Sequence, residues 1–353
     1  MHFTGRWLLR IAGFLAVLVV ADMAAGFLRV SYWTPFENRN ALRIFAHQQE
    51  DSRAEVLFLG SSRIRTAVMP AVVEKSLSSG LGRNINTYCL GQNGATAYTS
   101  WLVLDDVVSV HGPPDLIVLE LSPGSVNAHN HSVTGDLRYY SSIPEIAAAA
   151  GWIDNRERLS AAAAGCFRGF SSLLLFGTRP LYVDDFEKVV ARHIKRRGAQ
   201  FPPGGSDHRH RLSDLDERQR RNRLDHAAAY SRQHYLDRYE IGGAPGAGLQ
   251  AIVTFARDRG IPLVLVDLPA GPGYAEAVST PRDIDLYRDT LDGVLADPQV
   301  QVVEADFRGL GLTDEDFLDF THLHPDGARK VSRYLAESTL LPLMEGQAVR
   351  NGQ

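Results

Sequence analysis

Val56-Leu-Phe-Leu-Gly-Ser-Ser-Arg63 is a short apolar run that ends in one glycine and two serines. An unbroken apolar run of this length is typical of a strand that is buried on both faces, as the central strands of a parallel sheet are. Glycine and serine favour turns, so we expect the chain to leave the strand near Gly60. The stretch therefore predicts a buried parallel strand at about 55–60, followed directly by Ser61 and Ser62.

Further apolar segments repeat this pattern and alternate with segments of helical character. We expect the other strands at about 84–90, 115–121, 261–267 and 299–304. We expect helices over 97–110, from about 248 to the fourth strand, and from Pro325 to about Leu343. This alternation predicts an α/β fold with a parallel sheet between two layers of helices, a three-layer α/β/α arrangement.

Asp319-Phe-Thr-His-Leu-His-Pro-Asp-Gly327, near the C-terminus, is the second informative stretch. A serine hydroxyl is a poor nucleophile at neutral pH, so it needs a nearby base and a carboxylate that orients the base. We expect Ser62 to be the nucleophile, His322 the general base and Asp319 the orienting carboxylate. His324 is the alternative base. An isolated Asp-x-x-His is usually a surface turn or a helix cap, so the catalytic interpretation depends on its combination with Ser62.

Together the two stretches resemble the first and last sequence blocks of the SGNH (GDSL-like) hydrolase superfamily, in which one loop before the last helix carries both Asp and His. Ser62 matches the family's nucleophile, whereas Ser61 replaces the aspartate of its Gly-Asp-Ser block. Ser122-Pro-Gly-Ser-Val-Asn127 stands where an ordinary member has Gly-x-Asn-Asp. With these departures the chain is similar to the D-alanyl transfer protein of teichoic-acid modification and to related membrane-anchored members.

The resemblance also implies an oxyanion hole, which requires preorganised N–H donors aimed at the developing charge. We expect the backbone N–H of Ser62 to be one donor, and Gly94 resembles the glycine of the family's second block. Because the usual third-block asparagine is missing, Asn127 or Asn93 is the expected side-chain donor. Three residues are predicted to contact substrate: Arg63, Asn93 and His324.

The N-terminal region has the pattern of a membrane anchor. Two arginines precede an apolar run from Ile11 to Ala21, which resumes after Asp22 and reaches Leu28. This approaches the roughly 20 residues that span a bilayer, and positive charge before the run favours a cytoplasmic N-terminus. We therefore expect residues 1–30 to form one transmembrane helix and the remaining chain to be extracytoplasmic, in the periplasm. A cleaved signal peptide is the alternative.

Residues 31–353 are expected to form one SGNH-like catalytic domain that contains an insertion at about 125–246. That connection is too long for an ordinary loop. Within it, residues 187–238 carry 13 Lys and Arg against seven Asp and Glu, a net charge of +6. A solvated helical face is the ordinary interpretation, and contact with anionic lipid headgroups or an anionic glycan is the functional alternative.

Composition limits the remaining classes of function. The chain has 353 residues, of which 44% are hydrophobic, enough to bury a full core. A formal net charge of -4 gives no case for nucleic-acid binding. Cys89 and Cys166 are too few for a disulfide framework or a four-cysteine zinc site, and we expect Cys89 to be a buried apolar residue. We expect neither a metal nor a cofactor.

The resemblance implies that the chain acts beside a membrane-bound O-acyltransferase, its acyl donor, and passes an acetyl, alanyl or similar group through Ser62 to a cell-envelope glycan. An extracytoplasmic carbohydrate esterase would use the same residues with water as the acceptor. A noncatalytic subunit of an envelope-modification complex is a third possibility. It is the weakest, because all three residue types of the triad are present.

Overall fold

The structure is a computed structural model that describes residues 54–133, 211–297, 301–305 and 307–351, together with positions 11, 13, 14, 16, 17 and 20. Its centre is a five-stranded sheet in the order β2-β1-β3-β4-β5, and every neighbouring pair is parallel. The strands are β1 Val56–Leu59, β2 Thr87–Cys89, β3 Leu116–Glu120, β4 Leu263–Val266 and β5 Val302–Ala305. All five predicted strands are confirmed; β5 ends one residue beyond its predicted segment.

The sheet has a switch point beside β1. The chain passes from β1 to β2 on one side and later returns to β3 on the other side. Val56, Leu57, Phe58 and Leu59 are all fully buried, as the unbroken apolar run predicted. Ligand sites of open α/β sheets lie outside the carboxyl ends of the strands at such a point. The turn that begins at Gly60 occupies this position.

Ten helices of the described chain surround the sheet. They are α1 Ser62–Ala67, α2 Pro70–Leu81, α3 Ala97–His111, α4 Pro123–Val126, α5 Glu217–His234, α6 Gly243–Arg259, α7 Tyr274–Val278, α8 Pro281–Leu295, α9 Pro325–Leu335 and α10 Leu341–Asn351. A π-helical turn at Ala336–Leu340 joins α9 to α10, so the last helical segment extends beyond the predicted end. α6 begins before the predicted start because Pro245 is tolerated in a first turn.

The two faces of the sheet bury different helices. Val56 and Phe58 of β1 belong to one hydrophobic cluster with residues of α2 and α9. The alternate residues Leu57 and Leu59 point to the opposite face, because successive side chains of a strand alternate. On that side α3 packs closely against α6 and also contacts β1. The fold is therefore α/β with an all-parallel sheet, consistent with the predicted three layers, and Cys89 is buried as expected.

The described ends of the predicted insertion are held together at its base. Asn127 forms an antiparallel bridge with Ile241, and the Ala128 N–H donates to the Glu240 carbonyl at 2.7 Å. The His131 N–H donates to the carbonyl of His234, the last residue of α5, at 2.8 Å. α5 is thereby attached beside the carboxyl end of β3. Residues 134–210, which include the first part of the basic stretch (187–210), lie outside the described residues.

The predicted anchor over residues 1–30 lies almost wholly outside the described residues. The few described positions between 11 and 20 are helical. Among the helices of the described chain, none combines the length and the apolar character that a bilayer span requires. The chain divides into two compact units, and the sheet with its ten helices belongs to the unit formed by 46–133 and 191–353.

Two glycines of α6 give a matched test of this packing. A Cβ on Gly248 would lie 2.4 Å from the Tyr98 Cα in α3, whereas a Cβ on Gly246 would meet nothing within 4 Å. Gly248→Ala should destabilise the fold by about 1–3 kcal/mol, because α6 must move away from α3. Gly246→Ala should stabilise it by about 0.5 kcal/mol through helix propensity. Urea unfolding measures both, and equal effects would contradict the close approach.

Candidate active site

A buried carboxylate shapes the turn after β1. Glu120 ends β3 and is only 2% exposed. Its Oε2 accepts from the backbone N–H of Ser61 at 2.6 Å and of Ile64 at 3.3 Å, and the Ser61 hydroxyl donates to the same carboxylate at 2.8–2.9 Å. A buried carboxylate needs such partners to offset its lost hydration. Glu120 therefore fixes the backbone on both sides of Ser62.

Gly60 makes this contact possible. Its φ of +146° is a conformation that side chains with a Cβ rarely adopt. A Cβ at this position would also lie 2.4 Å from the Glu120 Cβ. On the other side of the turn, the Gly60 carbonyl accepts from the Gln92 N–H at 2.8 Å. The glycine of the sequence motif is thus required by space as well as by backbone conformation.

Ser62 is the first residue of α1, and its backbone N–H remains available. The Ser61 and Ile64 N–H groups donate to Glu120, and the Arg63 N–H donates to the Ser61 hydroxyl at 3.1 Å. The N–H groups of a first helical turn have no acceptor within the helix. Among the described residues, the Ser62 N–H has no acceptor, and Ser62 lines a cavity. This donor can serve an oxyanion, as predicted.

The predicted base and carboxylate lie on a closed loop before α9. Phe317 pairs with Leu323 in an antiparallel bridge, and the Leu318 N–H donates to the His322 carbonyl at 2.9 Å. Phe317, Phe320 and Leu323 are each at most 2% exposed and anchor the loop in the core. The residues between these anchors, Asp319 and His322, face the cavity. The apolar residues of the loop therefore fix it in the core, and the polar side chains of Asp319 and His322 lie at the cavity.

Ser62, His322 and Asp319 converge although 260 positions separate Ser62 from His322. The Ser62 Oγ lies 2.9 Å from the His322 Nε2, and the His322 Nδ1 lies 2.8 Å from the Asp319 Oδ2. A carboxylate can only accept a hydrogen bond, so Nδ1 carries the proton and Nε2 accepts from the serine hydroxyl. This is the arrangement that general-base activation of a serine requires.

The Asp319 carboxylate is held ionised by its surroundings. Burial acts to raise its pKa, but the hydrogen bond and charge of His322 and two hydrogen bonds from Thr321 outweigh burial and lower the pKa from 3.8 to about 2. The Thr321 N–H donates to Oδ1 at 2.7 Å and the Thr321 hydroxyl at 2.9 Å. Thr321 therefore fixes the carboxylate in the orientation that holds the histidine ring, a role that the sequence did not reveal.

Gly94 and Asn93, in the loop after β2, point to different surroundings. Gly94 has a φ of +65° and lines the same cavity as Ser62. Its N–H donates no hydrogen bond among the described residues, so it can serve as a second donor. Asn93 does not line the cavity, and its Oδ1 accepts a hydrogen bond from the Arg65 guanidinium. The structure thus places Gly94 at the site and turns Asn93 toward α1.

Asn127 is not placed in the oxyanion hole, contrary to the prediction. Its Nδ2 donates to the carbonyls of Tyr235 at 2.9 Å and Asp237 at 3.2 Å, and its Oδ1 accepts from the N–H groups of Glu240 and His129. The side chain is fully buried, and these four backbone contacts use its hydrogen-bonding capacity. Asn127 is instead the clamp at the base of the insertion.

His324 also lies away from the reacting groups. It is the N-cap of α9, and its Nδ1 accepts from the Asp326 N–H at 3.3 Å. Its backbone N–H donates to the carbonyl of buried Asp316 at 2.8 Å. His324 does not line the cavity, so it is a helix cap and neither the base nor a substrate contact. His322 has the only suitable geometry of the two histidines.

Arg63 lines the cavity, as expected for a substrate contact, and joins the serine turn to β4. Its guanidinium donates to the Leu268 carbonyl. Its Nη1 lies 3.9 Å from carboxylate oxygens of both Glu120 and Asp267. Asp267 directly follows β4 and was not predicted as a site residue. A carboxyl group just beyond an apolar strand was the signal that could have identified it.

The cavity is large and has aromatic walls. Its volume is about 1490 Å³, above the range of roughly 300–1,000 Å³ that is usual for small-molecule sites. α5 forms one wall with Tyr230, and Tyr274 of α7 donates to or accepts from Ser231 at 2.6 Å. Tyr287 of α8 lies on another wall. The insertion helix α5 therefore contributes to the site itself.

No family model matches the chain, and a search of the curated proteins finds no significant match.

Glu120→Gln tests the importance of the buried carboxylate. The amide cannot accept from every donor in the turn, so we expect a loss of about 2–4 kcal/mol in the free energy of unfolding. The displaced turn should also slow labelling of Ser62 by a fluorophosphonate by about tenfold or more. Glu315→Gln, at an exposed position, is the control for both measurements. Unchanged stability and labelling in Glu120→Gln would contradict the role of Glu120.

Acid unfolding tests the Asp319–His322 contact. Because the folded-state pKa of Asp319 is about 2 and its ordinary value is 3.8, the ionised carboxylate stabilises the fold above about pH 4. That contribution should disappear as the pH falls through about 2. The stability difference between the wild type and Asp319→Asn, measured by urea unfolding, should therefore narrow between these pH values. A constant difference, or the same narrowing in the exposed-site control Asp285→Asn, would refute the assignment.

Proposed function

We propose that this chain is an SGNH-type serine acyltransferase that passes an acyl group to a cell-envelope glycan through an acyl-Ser62 intermediate. The observation that carries the proposal is the continuous hydrogen-bonded array from the Ser62 Oγ through His322 to Asp319. Two available N–H donors, Ser62 and Gly94, line the same cavity. Nucleophile, base, orienting carboxylate and oxyanion donors together are the parts that acyl transfer requires.

The proposed first half-reaction forms the acyl-enzyme. The Ser62 Oγ bonds to the carbonyl carbon of the donor ester while its proton passes to the His322 Nε2. The backbone N–H groups of Ser62 and Gly94 stabilise the oxyanion of the tetrahedral intermediate. When the intermediate collapses, the bond to the leaving oxygen breaks and that oxygen takes the proton from His322. Asp319 keeps the ring oriented and stabilises the imidazolium between these two transfers.

The second half-reaction delivers the acyl group. The acceptor hydroxyl gives its proton to the His322 Nε2 and its oxygen attacks the acyl carbon; the bond to the Ser62 Oγ then breaks, and the Oγ recovers the proton. Water competes for the same intermediate, so transfer needs a bound acceptor with a high effective concentration. A cavity of about 1490 Å³ with tyrosine walls offers room for sugar rings next to Ser62, which supports the transferase proposal.

The setting of the reaction is also a proposal. The apolar segment within residues 1–30 would anchor the chain in the cell membrane, with its N-terminus in the cytoplasm and the catalytic domain in the periplasm. A membrane-bound O-acyltransferase would supply the acyl group, and an envelope glycan would receive it. The net charge of -4 supports a role without nucleic acid.

An extracytoplasmic carbohydrate esterase is the second candidate. The Asp319 side chain is 41% exposed, so solvent reaches the edge of the triad. Water that reaches an acyl-Ser62 intermediate would hydrolyse it with the same base. The transferase and the esterase therefore differ in the acceptor and not in the catalytic residues.

Ester-linked acyl groups on the purified envelope glycan distinguish the two functions. Ser62→Ala in the native organism should lower the amount of base-labile acyl groups by about tenfold or more if the chain transfers them. Loss of an esterase would instead leave more of them than in the wild type.

Ser61→Ala is the matched control for this measurement. Ser61 caps α1 and its hydroxyl donates to Glu120, but it does not contact His322. Its loss should therefore lower stability by about 1–3 kcal/mol and retain most of the acylation. Acylation that is unchanged in Ser62→Ala would reject both enzymatic functions and favour a noncatalytic subunit.

A further inference from the structure

The cavity has a second polar region at the ends of β4 and β5. We call it the carboxylate pole; it consists of Asp267, Tyr287, Arg288 and Glu304, all of which line the cavity. The Arg63 guanidinium, next to Ser62 in the chain, lies 3.9 Å from the Asp267 Oδ1. The carboxylate pole is therefore part of the space that a substrate bound at Ser62 would occupy.

The Tyr287 hydroxyl in this pole lacks a hydrogen-bond partner among the described residues. The residue is only 4% exposed, yet it lines the cavity. Buried polar groups of folded proteins nearly always have a partner, so a buried hydroxyl without one at a cavity wall indicates a place for a ligand group. Asp267 acts electrostatically on this hydroxyl, so the two groups share one neighbourhood.

The charges around Asp267 do not balance. The charged groups that act on it are Arg63, Arg288, Glu120 and Glu304. Arg288 is paired with Glu304, with 2.8 Å between the Nη1 and the Oε1. Arg63 lies equally far from Glu120 and Asp267, at 3.9 Å. With Asp267 included, three carboxylates face two guanidinium groups, which leaves a net charge of -1.

Asp267 is the group that carries this excess. Among the described residues it accepts no hydrogen bond, and its nearest cation is shared with Glu120. Burial raises its pKa to about 6, although Arg63 acts in the opposite direction. A carboxylate in such a place is stabilised by a proton or by a cation that enters from the cavity. The carboxylate pole thus favours a positively charged ligand group.

We propose that the carboxylate pole is a binding subsite for a protonated primary amine of the substrate. An ammonium group has three donors and one positive charge, so it can donate to Asp267 and to the Tyr287 hydroxyl while it neutralises the pole. The proposal deepens the proposed function and rests on it for the position of the substrate. The amine belongs either to an aminoacyl donor group or to an amino sugar of the acceptor glycan, and both present the same –NH₃⁺.

Binding to the full-length Ser62→Ala protein in detergent tests the subsite without turnover. Calorimetry compares two matched pairs of probes: a glucosamine trisaccharide with its N-acetylated form, and alaninamide with propionamide. The amine of at least one pair should bind about tenfold more tightly than its neutral partner, the size of one charge-assisted contact. The pair that shows the preference identifies the acceptor or the acyl group as its source. Equal affinity within both pairs, or no binding of any amine, overturns the proposal.

Variants of the pole connect that preference to its residues. In the Ser62→Ala background, Asp267→Asn should reduce the amine preference to about onefold, because it removes the negative charge that favours the ammonium group. Tyr287→Phe should reduce the preference about threefold, because it removes one hydrogen-bond acceptor. Asp258→Asn makes the same change at an exposed surface position and should keep the full preference. An amine preference that persists in Asp267→Asn overturns the proposal.

Thermal unfolding separates a ligand site from an internal ion pair. Asp267→Asn removes a charge that accepts no hydrogen bond among the described residues, so its Tm above pH 7 should equal or exceed that of the parent protein. A lower Tm of Asp267→Asn together with a full amine preference in Tyr287→Phe would make Asp267 a support for Arg63 and reject the subsite.

Acylation of wild-type Ser62 by an activated ester, followed by mass spectrometry, tests the proposed function separately.

Discussion

The buried carboxylate of Glu120 is the constraint on which the candidate site depends. It lies beside β1 at the end of β3, where the Leu59–Leu119 pair brings the two strands together. Its oxygens accept from backbone groups on both sides of Ser62, so the serine cannot move without breaking charge-assisted hydrogen bonds. Gly60 leaves the space for this carboxylate. The nucleophile is therefore held at the carboxyl end of the sheet by hydrogen bonds to a buried strand residue.

Glu120 also determines which donors the turn presents to a substrate. It engages the N–H groups of Ser61 and Ile64, and the Ser61 hydroxyl engages that of Arg63. Only the Ser62 N–H is left toward the cavity among these neighbours. Arg63 lies 3.9 Å from both Glu120 and Asp267, so Glu120 shares the guanidinium that would otherwise pair with Asp267 alone. Glu120 thus affects both the geometry of the nucleophile and the charge balance around Asp267.

The parts that could be predicted from the sequence are those that local pattern determines. Segments rich in apolar residues identified all five strands, and the serine after β1 and the Asp-x-x-His stretch gave the residues that now meet at 2.8–2.9 Å. Asn127 and His324 were misplaced because a polar side chain near a motif can bond to the backbone just as well as to a substrate. Their actual partners, such as the Tyr235 carbonyl, are distant in sequence. The sequence marks Glu120 as unusual, because it is a charged residue inside an apolar strand. Its hydrogen-bond partners could be identified only from the fold.

The charges around Ser62 have opposite effects on the two ions that acyl transfer creates. Asp319, 2.8 Å from the Nδ1, favours the imidazolium that forms on His322 during attack, and Glu120 and Asp267 place further negative charge beside Arg63. The same charges oppose the oxyanion that forms at the same moment, because like charges in a partly enclosed cavity are weakly screened. Short-range donors must therefore offset the long-range field. The Ser62 N–H can do so because Glu120 accepts from the N–H groups of Ser61 and Ile64 and not from that of Ser62. The carboxylate that adds negative charge to the site thus leaves the compensating donor free.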